Sequence, residues 1–256
     1  RERPLPTFLI IGAQKSATRW LRLNLGSHPD VYAAAKELEF FNKTERFARG
    51  VAWYREQFED WSGEPIVGEA TPGYMFWRER PDVIAGRIHR LVPDVQLLAI
   101  LRNPIDRAQS AMVHHIKFTG LPTESNLVDL VHERPPERDP LGIISGGWYA
   151  ASLEPFHDAF GDQLLVLLHD DSEHDPRRTY DQALRHIGAE PNFVPSDLDR
   201  LVFSNQKDPS RAPAGIRDLT MEQRRELYEF FADDIEKLEQ MIGRDLSIWR
   251  PEPVSA

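Results

Sequence analysis

A lysine and two hydroxyl side chains lie close behind an apolar run near the start of the chain. The run Phe8–Ile11 stops at Gly12, and Lys15, Ser16 and Thr18 follow before an amphipathic stretch begins. In a parallel sheet, the turn from a strand into a helix points backbone N–H groups at the space above the strand end, and the helix dipole adds partial positive charge. These residue types at this spacing therefore predict a phosphate-binding loop.

The loop differs from the common ATP-binding loop, which reads G-x-x-x-x-G-K-[ST]. Counted from Gly12, the second glycine position holds Ala17 and the lysine position holds Thr18. A later apolar run, Val95–Leu101, ends in Arg102, where a nucleotide triphosphatase often has an acidic ligand for Mg²⁺. Both departures argue against metal-assisted chemistry on ATP or GTP.

Arg102 suggests a second anion site. Pro104, a favoured first residue of a helix, follows it, and the first turns of that helix contain Arg107 and Ser110. Alternatively, Arg102 only caps a strand or pairs with Asp106. Two phosphate-binding corners on adjacent strand ends suit a ligand with two separated phosphates, such as the 3′,5′-bisphosphorylated nucleotide of activated sulfate.

The elements that would position these residues alternate between strands and helices. Four short, nearly continuous apolar runs are typical of strands covered on both faces: Thr7–Ile11, Pro65–Glu69, Val95–Leu101 and Gln163–Leu168. This pattern predicts an α/β fold with a central, mainly parallel sheet flanked by helices. Because no stretch reads as a domain linker, we expect residues 1–256 to form a single domain.

Four helices are predicted between and after these strands. One apolar helix face is expected over residues 47–61 and another over residues 84–91. A third helix opens at Pro104, and the last begins at Thr220, with Gln223 completing a capping box, and ends at Gly243. The inward residues expected on these helices are Phe47, Val51, Tyr54, Phe58, Trp61, Ile84, Ile88, Leu91, Ile105, Ala108, Met112, Ile116, Leu227, Phe231, Ile235, Leu238 and Ile242.

Composition excludes several classes of function. The chain has no cysteine, so disulfides, thiolate metal sites and cysteine nucleophiles are excluded, and a cytoplasmic setting is the simplest expectation. The formal net charge of −10 opposes a broad nucleic-acid interface but leaves room for a small anion site. No apolar run approaches the roughly 20 residues that span a bilayer, so no transmembrane segment is expected.

The stretch HDDSEHDP, residues 169–176, contains side chains that can bind metals. Without a second cluster of ligands, we interpret it as a solvated loop after a strand, before a helix that opens at Pro176. No metal site is therefore predicted.

Six stretches together resemble sulfotransferases that depend on 3′-phosphoadenosine 5′-phosphosulfate (PAPS), in particular the branch containing bacterial and heparan sulfate sulfotransferases. Two of the stretches resemble the cofactor motifs of the family: PTFLIIGAQKSATRWL and LLAILRNPIDRAQSAMVHH. The other four occur in the same order as in the family: KELEFFN, GEATPGY, GGWYAASL and NQKDPSRAP. They span positions 7 to about 213. The resemblance implies a fold with a P-loop-like corner and PAPS as co-substrate, without a metal.

The resemblance also implies roles for individual residues. The loop around the 5′-phosphosulfate comprises residues 14–19, and Arg102 and Ser110 contact the 3′-phosphate of the nucleotide. Lys207 and Arg211 belong to a late loop that closes over the nucleotide. The full set of cofactor-binding residues implied is Gln14, Lys15, Ser16, Ala17, Thr18, Arg19, Arg102, Ser110, Tyr149, Lys207 and Arg211. Ala17 and Arg19 depart from the family pattern, which has a glycine and a second hydroxyl there.

The catalytic residues implied are Lys15, which stabilises the leaving phosphate, and Glu37, the general base. Glu39 and Glu69 are candidate acceptor-side residues, although Glu39 replaces the histidine of the family pattern. Burial against the following phenylalanines would raise the pKa of Glu37, and Lys15 and Lys36 would lower it. The activity implied is sulfuryl transfer to a hydroxyl of a small-molecule, carbohydrate or glycolipid acceptor. The alternatives are a small-molecule or nucleoside kinase and a catalytically silent nucleotide-binding protein.

Overall fold

A five-stranded parallel sheet organises the chain. The computed structural model describes residues 2–76, 80–133, 139–199 and 218–251. The strands are β1 (Phe8–Gly12), β2 (Val31–Ala33), β3 (Ile66–Ala70), β4 (Gln96–Leu101) and β5 (Leu164–Leu168). Their order is β2-β3-β1-β4-β5, and all four neighbouring pairs run parallel. The predicted α/β class is confirmed.

The register places β1 at the centre of the sheet. Leu9 lies opposite Glu69 of β3 on one side and Leu97 of β4 on the other. All four predicted strands are confirmed, with ends that differ by no more than one residue. The sequence analysis missed β2, since a strand of three residues is too short to produce a clear apolar pattern.

Helices cover both faces of the sheet. They are α1 (Thr18–Leu25), α2 (Thr44–Phe47), α3 (Gly50–Glu56), α4 (Pro81–Leu91), α5 (Pro104–Phe118), α6 (Leu127–Glu133), α7 (Tyr149–Phe160), α8 (His169–His174), α9 (Pro176–His186) and α10 (Met221–Ile242). Short 3₁₀ turns lie at Pro72–Met75, Ser145–Gly147, Gly161–Gln163 and Ser247–Trp249. Within the described ranges, no helix has the length and apolar composition needed to cross a membrane.

The two faces of the sheet bury two separate hydrophobic clusters. Leu9 and Leu97 point into the larger cluster with α4, α5, α7 and α10. Phe8 and Leu98 point the other way and pack against α1 and α9. Alternate residues of one strand thus enter different clusters, which is why these strands read as continuous apolar runs.

The prediction of one continuous helix face over residues 47–61 was wrong. The segment contains two short helices, α2 and α3, and Gly50, the first residue of α3, has a φ of 78°, outside the α-helical region. Tyr54 and Phe58 are fully buried as expected, but Val51 is exposed. A glycine at positive φ changes the chain direction, so the helical spacing does not continue through it.

The prediction of a loop at HDDSEHDP was also wrong. Residues 169–174 form α8, directly after β5, and Pro176 opens α9 as predicted. The side chain of His169 is buried. Burial lowers the pKa of His169 to about 4, and the nearby Arg102 guanidinium adds to the shift. His169 is therefore neutral near pH 7.

The predicted ends of α10 are confirmed. The Thr220 side chain accepts a hydrogen bond from the Gln223 amide (3.2 Å), and the Gln223 side chain accepts one from the Thr220 amide (3.0 Å). Gly243 follows the helix in the left-handed conformation. The predicted inward residues Leu227, Phe231, Ile235 and Leu238 are buried.

Candidate active site

The carboxyl ends of the five parallel strands bring the predicted site residues to one edge of the sheet. The chain segments stay side by side just beyond the strands: the Thr71 amide donates to Ile10 O (3.0 Å), and the Ala13 amide donates to Ile100 O (2.8 Å). The loops after β1, β2, β3 and β4 therefore form one continuous rim. Such edges are where open α/β sheets bind ligands.

The loop after β1 has an unusual backbone. Lys15 and Ala17 both have a φ of 70°, the left-handed region that glycine adopts at little cost. This explains why the family pattern has glycine where this chain has Ala17. Gly12 approaches the turn after β3 so closely that a Cβ would lie 1.9 Å from the Sδ of Met75. The loop conformation is therefore held by the neighbouring turn.

Ser16 is fully buried, and its hydroxyl has no hydrogen-bond partner among the described residues. It lies near the Tyr149 hydroxyl without reaching normal hydrogen-bond geometry. No side chain caps the N-terminus of α1, whose N-cap is Ala17. Because buried hydroxyls and first-turn amides normally have partners, these groups fit an anionic ligand such as phosphate.

Several cations surround this loop. Burial lowers the pKa of Lys15, and repulsion from Arg107, Arg102 and Lys117 lowers it further. Neither Lys15 nor Arg102 forms an ion pair with any residue that the structure describes. Positive charges held close together without carboxylate partners indicate a site for an anion.

Helix α5 continues this positive surface. Asn103 caps it by accepting a hydrogen bond from the Ile105 amide (3.0 Å). Ser110 is three residues beyond Arg107 and seven before Lys117, so all three lie on one face of the helix. Both Arg107 and Lys117 lower the pKa of Lys15, which places this face beside the first loop.

The alternative partner considered for Arg102 is engaged elsewhere. Asp106 forms an ion pair with Arg224 of α10 (2.8 Å). The Tyr149 hydroxyl donates to the backbone oxygen of Arg102 (2.8 Å), and burial raises the pKa of Tyr149 to about 12. Tyr149, predicted to bind the cofactor, thus also holds the backbone of Arg102 in place.

Arg107, which the sequence suggested only as part of the second anion site, is a structural anchor. It is 1% exposed, donates to Gly142 O (3.0 Å) and to Ile143 O, and its Nε has no acceptor among the described residues. Asp139 holds the same loop by accepting hydrogen bonds from the amides of residues 143–145. An arginine among the apolar residues of α5 was the available signal.

The three candidate carboxylates have different surroundings. Glu39 pairs with Arg46 (3.1 Å). Glu69 is fully buried and accepts hydrogen bonds from three hydroxyls. Glu37 is exposed and forms no hydrogen bond or ion pair with any described residue. Of the three, only the Glu37 carboxylate is available to a ligand.

The pKa of Glu37 is raised. Although the side chain is exposed, nearby protein atoms exclude enough water to raise the pKa, repulsion from Glu39 adds to this, and Arg22 opposes it. The sequence predicted opposing effects of burial and of neighbouring cations, and burial is the larger of the two. The charge that lowers the pKa belongs to Arg22 of α1, where the sequence suggested Lys15 and Lys36.

Two predicted residues, Lys207 and Arg211, lie outside the described residues. Gln14 and Arg19 are exposed on the first loop and the start of α1. Among the residues that the structure describes, no group of three or more histidine or acidic side chains is placed to hold a metal ion. The cations and hydroxyls around the first loop can therefore hold an anion with several charges.

Comparison with known proteins points to one family. Residues 5–212 match the model of the sulfotransferase domain. The human heparan sulfate glucosamine 3-O-sulfotransferase 6 is 39% identical over 152 residues, which cover 59% of this chain and 40% of that protein. The mouse heparan sulfate glucosamine 3-O-sulfotransferase 3B1 is 29% identical over 258 residues, covering 95% of this chain and 65% of that protein.

A solved structure agrees with these matches. The crystal structure of a sulfotransferase from Alicyclobacillus acidocaldarius has a TM-score of 0.75 and 29% identity, and the alignment covers 96% of this chain and 99% of that chain. The domain match covers most of the present chain and includes every described residue that we assign to the candidate site. This chain belongs to the sulfotransferase domain family.

Proposed function

We propose that this chain transfers the sulfuryl group from PAPS to a hydroxyl group of a carbohydrate. The observation that carries the proposal is a pair of cations, Lys15 and Arg102, at two adjacent strand ends beside the Ser16 hydroxyl, none of which has a partner among the described residues. PAPS carries a phosphate at the 3′ position and a phosphosulfate at the 5′ position of its ribose, so it needs two anion-binding corners. Family membership supports the same donor.

Each cofactor corner has its own residues in this proposal. The loop of residues 14–19 binds the 5′-phosphosulfate through backbone amides, Lys15 and the Ser16 and Thr18 hydroxyls. Arg102 and Ser110 bind the 3′-phosphate. Tyr149 supports this corner through its hydrogen bond to the Arg102 backbone. Lys207 and Arg211 remain predicted nucleotide ligands.

The chemical step is an in-line displacement at sulfur. The acceptor oxygen forms a bond to sulfur, while the bond between sulfur and the bridging phosphate oxygen breaks and its electron pair stays on the released 3′-phosphoadenosine 5′-phosphate (PAP). Lys15 stabilises the negative charge that grows on this oxygen, which favours the transition state over the ground state. Glu37 takes the proton of the acceptor hydroxyl.

The free carboxylate supports Glu37 as the base. A general base must be ionised and must reach the acceptor hydroxyl, and Glu37 has neither a partner among the described residues nor full burial to prevent this. Glu39 is paired with Arg46. The names of the relatives, heparan sulfate glucosamine 3-O-sulfotransferases, support a glucosamine-containing polysaccharide as the acceptor class.

A transfer assay tests the proposal. The purified chain is incubated with PAPS carrying labelled sulfur and with glucosamine-containing oligosaccharides, with and without EDTA, and a parallel arm replaces PAPS with ATP and Mg²⁺. We expect label in the oligosaccharide at a rate that EDTA hardly changes, and no transfer from ATP. Transfer that requires ATP and Mg²⁺ would instead support a kinase, and PAP binding without any transfer would support a catalytically silent protein.

A further inference from the structure

The segment that carries Glu37 is tied to a buried carboxylate. The amides of two successive residues, Glu39 and Phe40, reach a network centred on Glu69. Burial raises the pKa of the Glu69 carboxylate, and the hydroxyls around it and the nearby Leu38 backbone oppose this rise. The Glu39 amide donates to the Thr71 hydroxyl (3.1 Å), and the Phe40 amide donates to the Tyr74 hydroxyl (3.1 Å).

The two hydroxyls relay these contacts to Glu69. Thr71 Oγ1 lies 2.7 Å from Oε2 of Glu69, and the Tyr74 hydroxyl lies 2.5 Å from Oε1. Each hydroxyl accepts an amide proton, so its own single proton is available for the carboxylate. Every hydrogen bond therefore runs in one direction, from amide to hydroxyl to carboxylate, and such chains strengthen one another.

A third hydroxyl completes the shell around Glu69 without touching these amides. Tyr54 of α3 donates to Oε1 (3.0 Å), and its ring stacks on Phe40, with 4.1 Å between ring centres. Glu69 is 0% exposed. Because all its neighbours donate, the ionised carboxylate fits the network, and an amide in its place would bring two donors face to face.

The network holds a backbone conformation that the chain would otherwise avoid. Glu39 has a φ of 47°, in the left-handed region, which is unfavourable for a residue with a Cβ. The hydrogen bonds from the Glu39 and Phe40 amides hold this turn. The position of the Glu37 carboxylate follows from it, since Glu37 itself has no hydrogen bond or ion pair with any described residue that would hold it in place.

We propose that Glu69, acting through the hydroxyls of Thr71 and Tyr74, is a positioning residue that sets where Glu37 stands; this inference rests on the proposed role of Glu37 as base. A fully buried carboxylate then contributes to the reaction without touching either substrate. This role replaces acceptor contact as our assignment for Glu69.

Substitutions at Thr71 offer a matched pair. Thr71→Val removes the hydroxyl and keeps the branched shape, whereas Thr71→Ser keeps the hydroxyl. We expect Thr71→Val to lower kcat about 10- to 100-fold, the scale of a misplaced catalytic group, with an unchanged dissociation constant for PAP. Thr71→Ser should recover most of kcat. Amide hydrogen exchange at residues 38–40 should rise in the valine variant only.

A second pair covers the case in which Thr71→Val fails to fold. Tyr74→Phe removes the hydroxyl that joins the Phe40 amide to Glu69. Tyr54→Phe removes a hydrogen bond to Glu69 but no connection to a backbone amide. Only Tyr74→Phe should therefore lower kcat selectively. In a Glu37→Gln background, Tyr74→Phe should cause no further loss of kcat, since there is no base left to position.

The outcomes separate the two proposals. A wild-type chain that transfers no sulfuryl group would overturn the proposed function. Wild-type transfer with equal kcat in Thr71→Val and Thr71→Ser would overturn the positioning role alone. A full, additional loss from Tyr74→Phe in the Glu37→Gln background would also overturn it, because Tyr74 would then act independently of Glu37.

Discussion

At the scale of single residues, Lys15 and Glu37 have pKa values shifted in opposite directions. Burial and neighbouring cations lower the pKa of Lys15, and incomplete hydration together with Glu39 raises that of Glu37. The proposed mechanism needs a charged lysine and an ionised carboxylate. Both shifts therefore narrow the pH range in which the free enzyme is active.

We predict a bell-shaped dependence of kcat/KM on pH. Activity should fall as pH drops through the pKa of Glu37, above the ordinary glutamate value of 4.5, because the base becomes protonated. It should fall again as pH rises through the pKa of Lys15, below the ordinary lysine value of 10.5, because the positive charge is lost. Initial rates at low donor concentration over a pH series measure both limbs.

Two variants assign the limbs. Phosphate groups of the donor titrate near pH 6, so the acidic limb needs a control that separates them from Glu37. If the limb reports Glu37, it should disappear from the residual activity of Glu37→Gln. Lys15→Arg keeps a charge that does not titrate in the accessible range, so the basic limb should disappear there. A basic limb that persists in Lys15→Arg would assign it to another group.

At the scale of elements, helix N-termini position the site. Asn103 caps α5, which carries Arg107 and Ser110. Asp234 of α10 accepts hydrogen bonds from the amides of Ala150 (3.0 Å) and Ala151 (3.1 Å), in the first turn of α7. Because α7 begins with Tyr149, whose hydroxyl bonds the Arg102 backbone, α10 supports from a distance the corner at which we propose that the 3′-phosphate binds.

The cap of α10 gives a stability prediction. Thr220→Ala removes the side-chain acceptor for the Gln223 amide, and the reciprocal bond of the capping box loses its geometry. We expect the free energy of unfolding to fall by about 1 kcal/mol. Urea unfolding should show a lower midpoint with an unchanged slope. Thr220→Ser keeps the acceptor and serves as the control; equal midpoints for alanine and wild type would contradict the cap.

At the scale of the whole molecule, the site is positive although the chain carries a net charge of −10. The surrounding negative charge does not prevent binding of a small anion, because interactions between exposed charges are largely screened beyond roughly 10 Å at moderate ionic strength. The cations that matter lie together at one edge of the sheet. Ligand binding there should stabilise the entire fold by mass action.

We therefore predict a thermal shift that depends on the 3′-phosphate. PAP at 100 times its dissociation constant should stabilise the fold by about 2.7 kcal/mol, which raises Tm by about 5–11 °C for a chain of this size. In Arg102→Ala, the loss of a charged hydrogen bond of about 1.5–3 kcal/mol should reduce this shift to half or less at the same PAP concentration.

The controls for this shift use a second ligand and a second arginine. AMP lacks the 3′-phosphate, so its shift should be the same in wild type and Arg102→Ala. Arg90→Ala, at the exposed end of α4, removes the same charge at the opposite end of β4 from Arg102 and should leave both shifts unchanged. Equal losses for PAP and AMP in Arg102→Ala would show that Arg102 does not recognise the 3′-phosphate.

Local features of the sequence indicated four of the five strands, the capped helix α10 and the two cations near strand ends. Each of the features used, an apolar run, a proline after Arg102 or a capping box, involves only a few neighbouring residues. Such features can therefore be recognised from the sequence alone. The same spacing identified Lys15, Arg102 and Ser110. Gly50 interrupts the helix predicted over residues 47–61 because its φ is positive. The spacing of apolar residues contains no information about that angle.

Only the tertiary structure decided which carboxylate is free. Glu37, Glu39 and Glu69 look alike in sequence, but Arg46 pairs with one, and Tyr54 and Tyr74 surround another. The engagement of Asp106 by Arg224 joins residues 118 positions apart. Such contacts arise when distant segments meet at the sheet edge. The burial and the charged neighbours of each side chain at that edge depend on these contacts. They determine the pKa of each side chain and its availability to a ligand, which the residue type alone does not.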